Sequence, residues 1–445
     1  MMKLDDRLQH VAVLGAGGKM GRGISLLLAR EMTLQQLKAE NQGKTYRLIL
    51  VDVHPPALEG LKEYLIAQAK KFALKNIPAL RPAFPDVSEE ETLAERFGET
   101  LLSLIHPTTD LPEVTGSHLV FEAILEKIDL KVSVYRRLRD ICSEDTFFFS
   151  NTSSIPIHVL DEQAGLDGRL IGFHFYNPPA VQKLVELIIP EKVHPELPEL
   201  ARELGQRLGK IIIPSNDVAG FIGNGHFMRD GLHGIAEAER LQSEMSFVQA
   251  IYTVNRITQE FLIRPMGIFQ LIDYVGLDIF QSILAIMNPH FPEENLHSEL
   301  IDTLVEKGIK GGQYPDGSQK DGFLKYEGGK PAGVYDLESG QYVGFDEGGW
   351  RAEADEKIGP LPEGHAPWKA LVKAPQRENA LANYFRNLKA MDTFGARLAL
   401  RYLRRSKEIG QQLVATGVAN SAEDVNGVLM NGFFHLYGPI NDYVD

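Results

Sequence analysis

Residues 10–21 read His-Val-Ala-Val-Leu-Gly-Ala-Gly-Gly-Lys-Met-Gly, and no other stretch restricts the fold as much. His10 to Gly15 is an apolar run of strand length, the glycines break it, and an apolar helical stretch follows to Leu28. Strand, glycine turn and helix in that order open a nucleotide-binding βαβ unit. Glycines let the backbone approach a pyrophosphate. The helix start offers N–H groups and the positive end of its dipole to the anion. A second strand, Tyr46 to Val51, ends at Asp52. A carboxylate there accepts hydrogen bonds from both ribose hydroxyls and repels a 2′-phosphate, which selects NAD over NADP. Gly15, Gly17, Gly18, Met20, Gly21 and Asp52 are the cofactor-binding candidates on this pattern. The loop is one residue longer than the usual fingerprint. Asp52 follows Gly15 by 37 residues, where about 20 is usual. The surplus is expected as a surface insertion around Glu31 to Lys44.

Further strands are predicted at Leu119–Glu122 and Thr146–Ser150. Between them, Lys127 to Ile141 has helical apolar spacing at Ile128, Val132, Tyr135 and Leu138. Ser150-Asn151-Thr152-Ser153-Ser154 then falls at the carboxyl end of a strand, where open α/β sheets bind ligands. His174-Phe175-Tyr176-Asn177-Pro178 and Leu184-Val185-Glu186 follow. Together these strings supply a hydroxyl, an imidazole, an amide and a carboxylate. Oxidation of an alcohol needs a base for the hydroxyl proton, and histidine titrates near neutrality. A carboxylate on the other ring nitrogen fixes the tautomer and stabilises the imidazolium. His174 and Glu186 are the candidate pair, on adjacent strands joined by a turn at Asn177-Pro178-Pro179. Ser153 and Asn177 are candidates for the substrate oxygen.

At this point the sequence resembles the L-3-hydroxyacyl-CoA dehydrogenases. The resemblance rests on FEAILEKIDLK (121–131), SNTSS (150–154), HFYNP (174–178), LVE (184–186), GFIGN (220–224) and IDYVGLD (272–278), in family order. It implies an α/β Rossmann-type NAD-binding domain followed by all-α domains, with NAD as cofactor and an acyl-CoA as substrate. It implies that His174 is the general base and Glu186 its orienting partner. Ser153 would meet the substrate hydroxyl and the nicotinamide. Asn177 and Asn224 would position the substrate and the histidine. Glu126, Lys131 and Asn151 match residues lining the nicotinamide-ribose site. Tyr176 stands where phenylalanine is usual, Gly225 where arginine is common and Ile268 where proline is usual.

From Asp217 the pattern turns helical, with Arg229–Leu241 and Phe247–Phe261 as helices. Met266-Gly267 and Asp273-Tyr274-Val275 close that unit. Tyr437-Gly438-Pro439 and Asp442-Tyr443-Val444 repeat the ending, and Ala396–Val414 repeats the helical stretch before it. This weak repeat suggests a duplicated helical unit. The expected domains are 1–216 for NAD, 217–326 for the first helical unit, 327–375 as connector and 376–445 for a degenerate second copy. Lys325-Tyr326, just before the connector, and Gln341-Tyr342-Val343 within it are expected as hairpin strands. The second copy has no GFIGN counterpart, so one active site per chain is expected. A second copy standing in for a partner's helical domain makes either a monomer or a homodimer consistent with the sequence.

A net charge of −14 argues against a general nucleic-acid partner. No apolar run approaches the roughly 20 residues of a membrane helix, so no membrane partner is expected. One cysteine, Cys142, permits neither an internal disulfide nor a cysteine zinc site. The expectation is a cytoplasmic protein without a metal. A CoA substrate calls for a local basic patch, and Lys70, Lys71 and Lys75 on a predicted helix are the candidates. There is no room for an enoyl-CoA hydratase domain, so no hydratase activity is expected. Two alternatives are open on sequence: a dehydrogenase of a 3-hydroxy acid without CoA, and a non-catalytic NAD-binding protein.

Overall fold

The computed structural model describes residues 2–314 and 316–443; Met1, Pro315, Val444 and Asp445 lie outside the described residues. The chain divides into two compact units, Met1–Val218 and Ala219–Asp445.

The first unit is built on one eight-stranded sheet. Strands β1 (His10–Leu14), β2 (Arg47–Val51), β3 (Ile105–Thr108), β4 (Leu119–Glu122), β5 (Phe147–Ser150) and β6 (Leu170–Phe175) are parallel. Strand β7 (Leu184–Ile188) pairs antiparallel with β6, and β8 (Ile211–Ser215) pairs parallel with β7. The spatial order is β3-β2-β1-β4-β5-β6-β7-β8. The chain winds outward from β1 to β3, then returns to lay β4 on the other side of β1. That reversal leaves a crevice beyond the carboxyl ends of β1 and β4. Strands β4 to β7 are buried along their whole length, as expected of a sheet covered on both faces. This is why their sequences run apolar instead of alternating.

The helix after the glycine turn runs Lys19–Gln36, longer than the sequence suggested, and buries Glu31, Met32, Thr33 and Gln35. The surplus before Asp52 is therefore not a surface insertion from Glu31 onward. Its first residues extend a core helix, because Met32 continues the buried face of Ile24 and Leu28. Only Leu37 to Lys44, with a short turn at Ala39–Asn41, forms a connection.

The second unit begins with helices Phe221–Leu241, Phe247–Arg256, Ile268–Val275, Leu277–Met287 and Glu299–Glu306. It is not all-helical. Strands β9 (Leu324–Glu327), β10 (Lys330–Asp336) and β11 (Gln341–Gly344) form an antiparallel sheet. Helices Trp350–Ile358, Arg377–Ala390, Phe394–Ala415 and Ala422–Gly432 follow. Residues 327–375, expected as a connector, send Val334, Tyr335, Ala354, Ile358 and Leu371 into one core with Phe269, Phe385 and Leu403. Buried Asp273 ties the sheet down by accepting the N–H groups of Phe323 and Leu324 and the Tyr326 hydroxyl, at 2.6, 2.9 and 3.0 Å.

Candidate active site

Side chains alternate across a strand, and here the alternation separates two kinds of chemistry. Phe121, Phe149, Phe173 and Phe175 share one face, with successive ring centroids 4.6, 5.6 and 5.1 Å apart. The residues between them, Glu122, Ser150 and His174, point to the other face. Antiparallel register places Glu186 of β7 directly opposite His174 of β6. The His174 imidazole Nδ1 lies 3.0 Å from Glu186 Oε2, and Glu186 is fully buried. A carboxylate only accepts hydrogen bonds, so Nδ1 is the donor in this pair, and in the neutral form of the ring the lone pair lies on Nε2. His174 is 8% exposed.

Tyr176 follows two residues after His174, on the same face. Its hydroxyl donates to the same Glu186 Oε2 at 2.7 Å, and its ring centroid is 4.8 Å from the imidazole. Burial and the neighbouring Glu186 charge push the Tyr176 phenol far above its ordinary range, so it remains a neutral donor. The sequence marked Tyr176 as a departure without a role; its partner emerges only from strand register.

The serine-rich loop after β5 is held from below. Glu126 Oε1 accepts the Thr152 hydroxyl at 2.6 Å and the N–H groups of Ser153 and Ser154 at 2.8 and 3.2 Å. The Ser153 hydroxyl stands 3.3 Å from that of Ser154. Asn151 Oδ1 accepts the Phe175 N–H at 2.9 Å, joining the loop to the His174 strand. Burial alone would raise the Glu126 carboxyl, but the Lys131 ammonium and the loop donors outweigh it and hold it below its usual range. Lys131 lies 3.2 Å from Glu126 and 2.6 Å from Glu122, a carboxylate absent from the sequence candidates. Glu122 also accepts the Tyr135 and Ser150 hydroxyls and the Ile124 N–H. Burial would depress the Lys131 ammonium; the two carboxylates reverse that and hold it above its usual range.

Between β6 and β7 the chain turns at Asn177-Pro178-Pro179. Lys210 Nζ donates to the carbonyls of Pro179 and Gln182 at 2.5 and 2.6 Å, which holds the segment between that turn and β7. Burial, with a smaller contribution from Arg30, pulls Lys210 down to about 8. Asn224 stands in the first turn of the Phe221–Leu241 helix, in the second unit.

The glycine loop fits a dinucleotide. A Cβ on Gly21 would lie 2.0 Å from the Gly15 carbonyl oxygen, and one on Gly17 would lie 2.6 Å from Ala57 Cβ. Gly15 has φ +72°, a conformation that costs glycine little. The loop is thus packed too closely at Gly17 and Gly21 to carry side chains. The helix starts at Lys19 behind Gly18, so Met20 and Gly21 lie in its first turn, beside the anion position. Asp52 accepts the Gly17 N–H at 2.9 Å and the His54 N–H at 3.0 Å, placing its carboxylate beside the loop. Val53 and Leu125, just beyond β2 and β4, are large apolar side chains left 79% and 69% exposed at the same sheet edge. The sequence signal for them was an apolar residue just past a strand end.

The three lysines are not alike. Lys70 pairs with Glu95 at 3.1 Å, while Lys71 and Lys75 are exposed, four residues apart on the Pro55–Lys75 helix. Among the described residues no cluster of histidine, cysteine and acidic groups is arranged to hold a metal.

Residues 10–218 match the family described as 3-hydroxyacyl-CoA dehydrogenase, NAD binding domain, and residues 241–326 match its C-terminal domain. The mitochondrial hydroxyacyl-coenzyme A dehydrogenase of Homo sapiens is 30% identical over 325 residues, covering 72% of this chain and 92% of that protein. A probable 3-hydroxybutyryl-CoA dehydrogenase of Deinococcus radiodurans is 31% identical over 229 residues, 51% of this chain and 78% of its own. The crystal structure of 3-hydroxybutyryl-CoA dehydrogenase from Escherichia coli K12 covers 97% of this chain and 90% of its own, with a TM-score of 0.64 at 20% identity. That last likeness is one of fold.

Proposed function

The chain belongs to the 3-hydroxyacyl-CoA dehydrogenase family and is an NAD-dependent dehydrogenase, and from that premise we propose that it oxidises L-3-hydroxyacyl-CoA to 3-oxoacyl-CoA, as in fatty-acid β-oxidation. The observation that carries this reading is the His174–Glu186 pair, 3.0 Å apart across β6 and β7, on a strand that Asn151 ties to the serine loop. NAD, when bound, supplies the hydride acceptor. His174 Nε2 takes the proton of the substrate hydroxyl as the C–H bond breaks. Glu186, on Nδ1, keeps Nε2 in the accepting tautomer and stabilises the imidazolium as it forms. Ser153 and Asn177 steady the substrate oxygen as it becomes a carbonyl. Gly15, Gly17, Gly18, Met20, Gly21 and Asp52 hold the dinucleotide, with Glu126, Lys131 and Asn151 shaping the nicotinamide end.

The test is NADH formation by purified protein with NAD and L-3-hydroxybutyryl-CoA, a longer-chain analogue and free 3-hydroxybutyrate in parallel. Turnover on the CoA esters and little on the free acid is expected. Preference for the free acid would overturn the CoA assignment, and NAD binding without turnover on any of them would overturn the catalytic one.

We further propose that the protein is a monomer. Support comes from within the second unit, where Phe221–Leu241 and Phe394–Ala415 are helices of 21 and 22 residues, each followed by a shorter helix. They meet through Tyr402, whose hydroxyl donates to the Asp230 carbonyl, and through Arg264 on Asp230 and Ser406. In this reading the contact within one chain would take the place of one between copies. Size-exclusion chromatography with light scattering should give the 49.6 kDa mass of a single chain; a stable dimer overturns the idea.

A further inference from the structure

We propose that Tyr176 is a positioning residue for the His174–Glu186 pair: its hydroxyl shares the carboxylate oxygen that faces the imidazole, draws charge from it, and keeps His174 a neutral proton acceptor to lower pH than a phenylalanine would. The inference rests on the reading of His174 as the base.

Both donors converge on Oε2 of Glu186, the imidazole at 3.0 Å and the phenol at 2.7 Å. An oxygen that already accepts a short phenolic bond is a weaker partner for a cation, because hydrogen bonding to an anion spreads its charge. The imidazolium formed by a proton from solvent is then stabilised less, and the neutral base persists further into acid. The phenol cannot reverse its role, since a carboxylate has no proton to return. It also fixes the Glu186 rotamer, so the Oε2 position does not depend on the imidazole alone.

The polar and charged groups on the neighbouring elements have partners of their own. On β8 the residue opposite Glu186 is Ile213, which is apolar. From the loop after β5, Asn151 is neutral and bonded to the Phe175 backbone. Glu126 in that region is engaged by Lys131, Thr152 and Ser153. Asp217 beyond β8 pairs with His158 and the start of its helix. Lys210 grips the carbonyls of Pro179 and Gln182.

Tyr176→Phe removes one oxygen atom and keeps the ring. Two readouts compare it with wild type: an NMR titration of the His174 ring in protein without substrate, assigned against His174→Ala, and the acid limb of kcat/KM with L-3-hydroxybutyryl-CoA. In Tyr176→Phe both midpoints should rise by about half a pH unit, a roughly threefold change in proton affinity, with plateau kcat within about threefold of wild type. Incorporating 3-fluorotyrosine at 176, a stronger donor, should move the NMR midpoint the other way. An unmoved or lowered midpoint in Tyr176→Phe overturns the proposal, as does a fall in kcat with the acid limb in place, which marks a purely structural role. A raised NMR midpoint in a protein with no turnover supports the coupling and overturns the catalytic reading instead.

Discussion

Glu122 and Glu186 are two fully buried carboxylates on the same face of one sheet, yet their surroundings differ in kind. Glu122, at the end of β4, meets a permanent ammonium, two hydroxyls and a backbone N–H. All of its partners are fixed in charge and committed to the scaffold. Glu186, on β7, meets an imidazole and a phenol on one oxygen. One of its partners is an imidazole, whose second ring nitrogen can accept a proton. A buried carboxylate with a saturated, permanently charged partner set holds a loop; one paired to a titratable base can run chemistry.

The sharpest way to break that comparison is to remove the titratable partner. His174→Ala should lower kcat by about 10²–10⁴-fold while NAD binding, followed by fluorescence titration, is retained. Glu186→Gln should fall in the same range, because the amide can donate to Nδ1 and turn the ring to the wrong tautomer. Near-normal turnover in either variant would make Glu186 a scaffold group like Glu122.

The converse change tests Glu122. Lys131→Met leaves two carboxylates, Glu122 and Glu126, without their shared cation. Breaking a buried pair from one side costs about 3–5 kcal/mol, so urea unfolding should show a loss of that size in the first unit. A loss below about 1 kcal/mol would mean that the hydroxyl and N–H donors suffice, and that Lys131 is placed there for the nicotinamide end instead.

The same contrast explains what the sequence made legible. The serine loop, His174 and Glu186 stand out in the sequence as candidates because each sits in a short string whose polar residue interrupts or follows an apolar run. Glu122 was not: it lies within Phe121–Lys131, where a carboxylate beside apolar residues has no visible partner until Lys131 folds back nine positions later. Tyr176 was seen only as a departure, since the neighbour of its hydroxyl depends on register between β6 and β7. Strand β10 was missed because Lys330–Asp336 contains Pro331 and Gly333, residues that weaken a strand reading, and the irregular register with β9 falls there. The buried end of the Lys19–Gln36 helix was misread because Glu31, Thr33 and Gln35 look like surface residues. Glu31 and Gln35 bond each other, and Thr33 bonds the Ala29 carbonyl, which lets polar groups lie against the core.

The smallest expected effect extends the comparison to the surface. Lys70 has a fixed partner in Glu95, as Lys131 has in Glu122, whereas Lys71 and Lys75 make no ion pair among the described residues. A lysine already paired gives up an interaction before it meets a phosphate; an exposed one does not. Replacing Lys70, Lys71 and Lys75 together with alanine should raise KM for an acyl-CoA by about three- to tenfold, since exposed charge contacts contribute roughly 0.2–1 kcal/mol each. KM for an acyl-pantetheine, which lacks the nucleotide phosphates, should stay near wild type. Lys71→Ala/Lys75→Ala should reproduce most of that rise and Lys70→Ala little of it. The rise should fade in high salt, because exposed charges are screened over about 8–10 Å at ordinary ionic strength. Equal effects on the two substrates would remove these lysines from CoA binding. A dominant effect of Lys70→Ala would show that the Glu95 pair opens to admit the phosphate, and so that a fixed partner at the surface, unlike the one buried at Glu122, does not commit a side chain to the scaffold.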